Sequence, residues 1–192
     1  MAEFSDNRLI LFTLGEGTDH KGRTIHDVLA LENFWLEHTH DYIQWLFPIP
    51  EAGRFNGFAP VLDSGTRACF GENPKLREQQ SLSLNRMLNF FGLVRNGTAI
   101  EPAPDLSPQD HIWLKAGGHN HLRITRMIRS LHYCHQPELA VGFQAAVMIH
   151  GQTRGYVREA TCDYWRKATE QCALSETIKC RQSQQGRASK LR

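Results

Sequence analysis

Two segments of the chain combine polar side chains that can do chemistry with apolar neighbours. Residues 40–48 read His-Asp-Tyr-Ile-Gln-Trp-Leu-Phe-Pro, and residues 118–126 read Gly-His-Asn-His-Leu-Arg-Ile-Thr-Arg. Imidazole, carboxylate and guanidinium groups move protons, bind metal ions or hold anions. Both segments therefore contribute to a predicted ligand-binding site, which comprises His40, Asp41, Gln44, His119, Asn120, His121, Arg123 and Arg126.

The second segment opens a helix predicted over residues 119–134. Its buried stripe passes, one turn earlier, between Asn120 and His121, so both are expected to point inward. A helix N-terminus carries free N–H groups and a partial positive charge, which suits phosphate, sulfate or a peptide carboxylate. Two interpretations stay open. Either Asn120 or His119 caps the helix and Arg123 pairs with a carboxylate, or Arg123 helps to bind an anion and its replacement by Met leaves the fold intact.

The first segment predicts a central helix from about His38 to the residue before Pro48, because a residue preceding proline avoids the α region. Its apolar side chains cover more of the helix surface than a peripheral helix exposes. His40, Asp41 and Gln44 share the remaining arc. They are expected either to line a cleft or to form a buried network that ties down the backbone.

Metal binding and catalysis form the alternative interpretation. A His-x-His pair on a helix directs its rings about 200° apart, and no His-Glu-x-x-His motif occurs. A metal site would need His40 and His121 from different helices, with Asp41 as a carboxylate. We predict no metal and no cofactor, and no catalytic residue can be assigned. An enzyme that uses these three groups for acid–base or metal chemistry is the alternative to a binding module.

The elements that position these residues predict an all-α fold, a single-domain bundle of about seven helices. Residues 9–14 are expected to form a short strand or N-terminal arm, and residues 95–106 a loop. Predicted helices cover about 25–36, 38–47, 63–70, 74–91, a short stretch after Ser107-Pro108, 119–134, a stretch from Pro137 and a last helix. The predicted apolar faces of the last three are, in that order, Ile124, Met127, Ile128 and Leu131; Leu139, Phe143, Ala146 and Val147; and Tyr156, Val157, Ala160, Tyr164 and Ala168.

Several helix starts have local signals. Thr24 and Asp27 are spaced as a capping box, and Asp63 precedes a short helix as an N-cap. Asn73-Pro74 places an N-cap before a proline at the first helical position. Gly92 follows the predicted end of that helix, as a C-terminal glycine does.

Charge and cysteine content describe the rest of the chain. The net charge of 192 residues is +2, but five Lys and Arg residues follow the last acidic residue, Glu176. The predicted domains are an N-terminal arm (1–14), a helical domain (15–178) and a disordered basic tail (179–192), which is able to make weak contact with nucleic acid. Five widely spaced cysteines predict free thiols in a reducing cytoplasm, and no apolar run is long enough to span a membrane.

Four strings in this chain resemble the N-terminal conserved-region domain of the opioid growth factor receptor family: residues 15–24, 40–48, 55–60 and 119–126. The resemblance covers roughly residues 12–168 and implies an α-helical domain. It also implies receptor activity towards a small peptide, since animal members are described as binding Met-enkephalin and acting at the nucleus. The short basic tail in place of a long repeat region is expected of a bacterial, domain-only member.

Overall fold

The structure, a computed structural model, describes residues 7–53 and 57–170, and it is mostly helical with one small hairpin. The basic tail (179–192) and residues 1–6 of the predicted N-terminal arm lie outside the described residues. The elements are α1 (Arg8–Leu14), α2 (Ile25–Leu29), α3 (Asn33–His38), α4 (Ile43–Leu46), α5 (Ser64–Glu72), α6 (Pro74–Phe90), β1 (Leu93–Asn96), β2 (Ala99–Pro102), a 3-10 turn (Ile112–Leu114), α7 (His119–Tyr133), α8 (Pro137–Thr153) and α9 (159–170).

The local capping signals predict the observed helix starts. Thr24 Oγ1 accepts from the Asp27 amide at 3.2 Å, while Asp27 Oδ2 accepts from the Thr24 amide at 2.8 Å. Asp63 and Asn73 cap α5 and α6 in the same manner, by accepting from backbone amides of the first turn. These helix starts are correct because a cap involves residues at most three positions apart.

Residues 9–14 form a helix, so the short strand, one of the two predicted alternatives, is wrong for this segment. Asn7 Oδ1 accepts from the amides of Leu9 and Ile10, which starts α1, and Gly15 ends it with a φ of +79°. The buried positions in α1 follow a helical spacing. A short apolar run cannot be assigned to strand or helix from periodicity, and the caps decide the outcome here.

The predicted loop at 95–106 is also wrong, because it contains most of an antiparallel hairpin. Asn96 pairs with Ala99 across a two-residue turn in which Gly97 has a φ of +63°. Glycine at the first position of a two-residue turn is typical of a hairpin, and Gly97 occupies that position. The Thr98 carbonyl packs against α8 where Gly142 has no side chain.

The predicted helix at 25–36 is interrupted after Leu29. Arg86 on α6 donates to the carbonyls of Leu29 and Leu31 and to Asn33 Oδ1, at 3.1, 2.6 and 2.9 Å. These contacts satisfy backbone acceptors between α2 and α3 that a continuous helix would have paired internally. A side chain more than 50 positions away thus determines the break.

The second predicted helix is shorter than expected. Residues 39–42 lie outside any helix, and α4 is a single turn. Its apolar residues are nevertheless buried, as the sequence predicts. The short helix predicted after Ser107-Pro108 is reduced to the 3-10 turn Ile112–Leu114.

The main core is formed by the buried faces of α7 and α8 together with apolar residues of α2, α4, α6 and α9. The predicted stripes of α7 and α8 are buried, but the buried face of α9 is Cys162, Trp165 and Ala168, whereas Tyr164 is 72% exposed. Cys69, Cys134 and Cys162 are free thiols. Within the described ranges, no helix has the length and apolarity required to cross a membrane.

Candidate functional site

The two polar segments face one another across an open cleft of about 680 Å³. Six of the eight predicted site residues line it, and Asn120 and His121 do not. The lining residues are Lys21, His38, Thr39, His40, Asp41, Ile43, Gln44, His119, Leu122, Arg123 and Arg126.

One wall of the cleft is a single face of α7. His119, Leu122, Arg123 and Arg126 recur at positions i, i+3, i+4 and i+7, which share one side of a helix. The opposite wall is the segment 38–44, which connects α3 to α4. Because that wall is largely non-helical, its shape depends on contacts made with other elements.

Arg123 makes two of those contacts, to Thr39 and His40, and is itself only 4% exposed. Its Nη1 donates to the Leu36 carbonyl (2.8 Å), and its Nη2 donates to the Thr39 carbonyl (2.8 Å) and, at 3.3 Å, to the Glu37 carbonyl. Burial lowers the pKa of this guanidinium below its ordinary value. Arg123 therefore anchors the end of α3 and the cleft wall, with little donor capacity left for a ligand.

Two side chains of the described residues also accept hydrogen bonds from Arg123: Asn120 Oδ1, at 3.1 Å from Nη1, and His40. The Nδ1 atom of His40 lies 2.9 Å from Arg123 Nη2 and must accept, because a guanidinium has no lone pair to offer. The neutral His40 ring consequently carries its proton on Nε2. The His119 ring meets it edge-on, with centroids 5.0 Å apart.

Glu37 contacts the side chains of the first two residues of α7, His119 and Asn120. His119 Nε2 lies 2.8 Å from Glu37 Oε1, and Asn120 Nδ2 donates to Glu37 Oε2 at 2.9 Å. Burial lowers the pKa of His119, reinforced by the charge of Arg123 and opposed by Glu37. Neither His119 nor Asn120 caps α7, whose N-cap is Gly118 without a side-chain hydrogen bond. The capping interpretation is therefore wrong, although Asn120 and His121 do point inward as predicted.

Asp41 lies at the other end of the same wall and is surrounded by cations. Its Oδ2 is 2.5 Å from Lys21 Nζ and its Oδ1 is 2.8 Å from Arg23 Nη2, while His20 Nε2 approaches to 3.4 Å. Burial alone would raise the pKa of Asp41. Hydrogen bonds and charge from Lys21 and Arg23 outweigh it and hold the pKa below its ordinary value.

The loop 15–24 holds those cations in place through Asp19, which is fully buried. Asp19 Oδ1 accepts from the amides of Lys21 and Arg23 at 2.8 and 3.0 Å, and Oδ2 accepts from Arg23 Nε at 2.7 Å. Arg23 thus bridges Asp19 and Asp41. Asp19 therefore holds both the backbone turn of the loop and the side chain of Arg23, and Arg23 in turn binds Asp41 in the cleft wall.

The ion pairs of Asp41 make the stability of the protein depend on pH. Asp41→Asn is expected to lower the free energy of unfolding at pH 7 by on the order of 1 kcal/mol, since the amide gives Lys21 and Arg23 no charge. The folded-state pKa lies below the ordinary value of 3.8, so this contribution is fully present above that pH and disappears as the pH falls through the folded-state value.

Urea titrations of wild type and Asp41→Asn at pH 7, 5 and 2.5 measure this contribution. The difference between the two proteins should shrink at the lowest pH. A difference that stays constant over the whole range would show that the Asp41 charge does not stabilise the fold.

Arg126 differs from Lys21 in having no carboxylate partner among the described residues, and from Arg123 in having hydrogen-bond donors left over. Its Nη1 donates to the Phe47 carbonyl at 3.2 Å, and no carboxylate in the described part of the chain forms an ion pair with it. Burial, together with repulsion from Arg129, lowers the pKa of Arg126 to about 10. The guanidinium is still charged at pH 7, half-buried, and has donors left to offer. Beside the cleft, Gln44 Oε1 is buried without a hydrogen-bond partner among the described residues.

The residues named for the metal and acid–base alternative are not brought together. His121 Nε2 donates to the Trp113 carbonyl at 2.8 Å, and its ring packs edge-on against Trp165, in the core rather than in the cleft with His40. Over residues 7–53 and 57–170, no three His, Cys, Asp or Glu side chains are arranged to hold a metal ion.

Sequence reasoning missed five lining residues. Lys21 was a detectable candidate, because it lies in one of the four strings that carry the family resemblance. Leu122 follows His119 by three positions and so shares its helix face. His38, Thr39 and Ile43 carried no signal, since their exposure depends on where the helices around them end.

Comparisons with known proteins agree with the resemblance found in the sequence. The family model described as the opioid growth factor receptor (OGFr) conserved region matches residues 20–181. The chain is 34% identical over 156 residues to the opioid growth factor receptor of Mus musculus, which covers 75% of this chain and 24% of that protein. It is 31% identical over 155 residues to the Homo sapiens receptor, with 75% and 22% coverage.

A second group of relatives matches a shorter region. The opioid growth factor receptor-like protein 1 of Xenopus tropicalis is 38% identical over 100 residues, covering 50% of this chain and 19% of that protein. The chain thus spans a quarter or less of the length of these relatives. No solved structure matches it.

Proposed function

This chain belongs to the opioid growth factor receptor conserved-region family, and from that premise and the geometry of its cleft we propose that it is a binding module for a small peptide or other anionic ligand. The relatives are named as receptors, which is consistent with recognition rather than catalysis. Their full-length activity is not assumed for this chain. The proposal concerns the cleft between segment 38–44 and α7.

The observation that carries the proposal is the charge of Arg126. A partly buried cation without a carboxylate partner is costly, and an incoming anion relieves that cost. Arginine also offers paired donors that match a carboxylate or a phosphate. Arg126 therefore supplies the anion contact that the sequence had assigned mainly to Arg123.

The remaining cleft groups fit an anionic ligand as well. Lys21 neutralises Asp41, so that carboxylate opposes an anion less than a bare one would. Gln44 adds a neutral amide side chain to the lining, which brings no negative charge into the cleft. The cleft volume of about 680 Å³ lies in the range of small-molecule sites.

A thermal-shift titration with sodium sulfate and sodium phosphate tests the proposal at constant ionic strength, with sodium chloride as the compensating salt. Wild type is expected to gain several degrees at saturating anion, because a ligand that binds only the folded state raises its stability by mass action. Arg126→Met keeps the side-chain stem and removes the charge, and we expect it to lose at least half of that gain.

Arg158→Met is the matched control, since Arg158 is exposed at the start of α9 and outside the cleft. The control variant should respond to anions as wild type does. Equal responses of wild type and Arg126→Met, or no response of wild type to either anion, would refute the anion site at Arg126.

A further inference from the structure

Apolar surface lies exposed in the same cleft as the unpaired cation. Leu122, on the α7 wall, is 75% exposed, whereas Ile43, on the opposite wall, is only 4% exposed and adds little apolar surface. A single exposed leucine is ordinary on a protein surface. Leu122 differs because it shares a concave site with a charged group that already favours a ligand.

The apolar surface continues from the cleft onto α3. Phe34 and Trp35 are 58% and 53% exposed and pack edge-on against each other, with ring centroids 5.2 Å apart. The Phe34 ring also stacks on His38, at 4.3 Å, and His38 lines the cleft. Aromatic surface thus extends from the mouth of the cleft outward.

The spacing between Arg126 and Leu122 limits how long a ligand must be to contact both side chains. Leu122 and Arg126 are four positions apart on one face of α7, so they are separated by about 6 Å along the helix axis. A ligand whose anionic group binds Arg126 reaches Leu122 if a phenyl ring follows that group directly or after one or two methylenes. Inorganic phosphate or sulfate is too short to make both contacts.

We propose that the ligand of this cleft is an amphiphilic small anion, in which a carboxylate or phosphate is joined to an aromatic body. The anionic group binds Arg126, and the aromatic body covers Leu122 and extends towards His38 and Phe34. This inference rests on the anion-binding function proposed above. It adds that affinity comes from apolar burial as well as from charge.

Isothermal titration calorimetry with four probes tests the inference: phosphate against phenyl phosphate, and acetate against 3-phenylpropionate. For wild type, each aromatic probe is expected to bind about tenfold more tightly than its short counterpart, as partial burial of a ring provides. The phosphate and carboxylate pairs distinguish which anionic group the site prefers.

Leu122→Ser and its control Leu82→Ser separate the apolar contribution from charge. Leu82 is also an exposed leucine, on α6 and outside the cleft. We expect Leu122→Ser to reduce the aromatic advantage to about twofold or less while phosphate affinity stays within twofold of wild type. Leu82→Ser should retain the full advantage.

The outcomes distinguish this inference from the proposed function. If phosphate and phenyl phosphate bind wild type equally, or if Leu122→Ser keeps the aromatic advantage, the amphiphilic ligand is refuted and anion binding stands. If none of the four probes binds, the anion-binding function itself fails. If Arg126→Met binds phenyl phosphate as tightly as wild type, the assignment of the anionic group to Arg126 is refuted.

Discussion

Arg123→Met is expected to destabilise the fold by about 2–5 kcal/mol, because each buried or half-buried acceptor that loses a charged donor costs about 1–3 kcal/mol. Methionine fills the space of the stem but donates no hydrogen bonds. The half-buried Thr39 carbonyl and the His40 side chain would then lose this donor, and the buried Leu36 carbonyl would keep only the Tyr42 hydroxyl. The sequence had predicted the opposite, a replacement that leaves the fold intact.

Urea unfolding of wild type, Arg123→Met and Arg126→Met at pH 7 measures the effect. Arg126 is the matched control, because it lies one turn further along the same face and makes one backbone hydrogen bond. We expect Arg126→Met to lose no more than about 1.5 kcal/mol. Arg123→Lys should also be strongly destabilising, since an ammonium group cannot reproduce the planar donor fork. A loss below about 1 kcal/mol for Arg123→Met would contradict the anchoring role.

Asp19→Asn is expected to destabilise the protein by about 2–4 kcal/mol, because the carboxylate is fully buried and all its contacts are donors. The amide has one acceptor oxygen, which can serve the backbone amides of Lys21 and Arg23. Its NH₂ group would then face Arg23 Nε, donor against donor. Arg23 would lose its partner in the loop and hold Asp41 less firmly.

The same urea assay tests this prediction, with Asp105→Asn as the control at an exposed position. A double variant, Asp19→Asn with Asp41→Asn, shows whether the two carboxylates act as one network. Their effects should be less than additive, because both depend on Arg23. Full additivity, or an Asp19→Asn loss below about 1 kcal/mol, would mean that the loop 15–24 is held by other contacts.

The sequence predicts many of the residues of the candidate site but not the role that each of them has. His40, Asp41 and Arg126 were named from the sequence, and they line the cleft. The roles of Arg123 and His121 were not predictable, because their partners lie elsewhere in the chain. Arg123 binds carbonyls 84–87 positions away, and His121 donates to the carbonyl of Trp113.

The sequence by itself determined the helical class, the caps of α2, α5 and α6, and the buried stripes of α7 and α8. Each of these depends on interactions within a few residues, or on a periodicity that one element displays alone. The tertiary structure decided where α2 and α3 end, which polar side chains face the cleft, and which cation keeps free hydrogen-bond donors. A carbonyl at the end of a helix accepts from whichever buried donor reaches it, and Arg86 and Arg123 reach theirs only after the chain has folded.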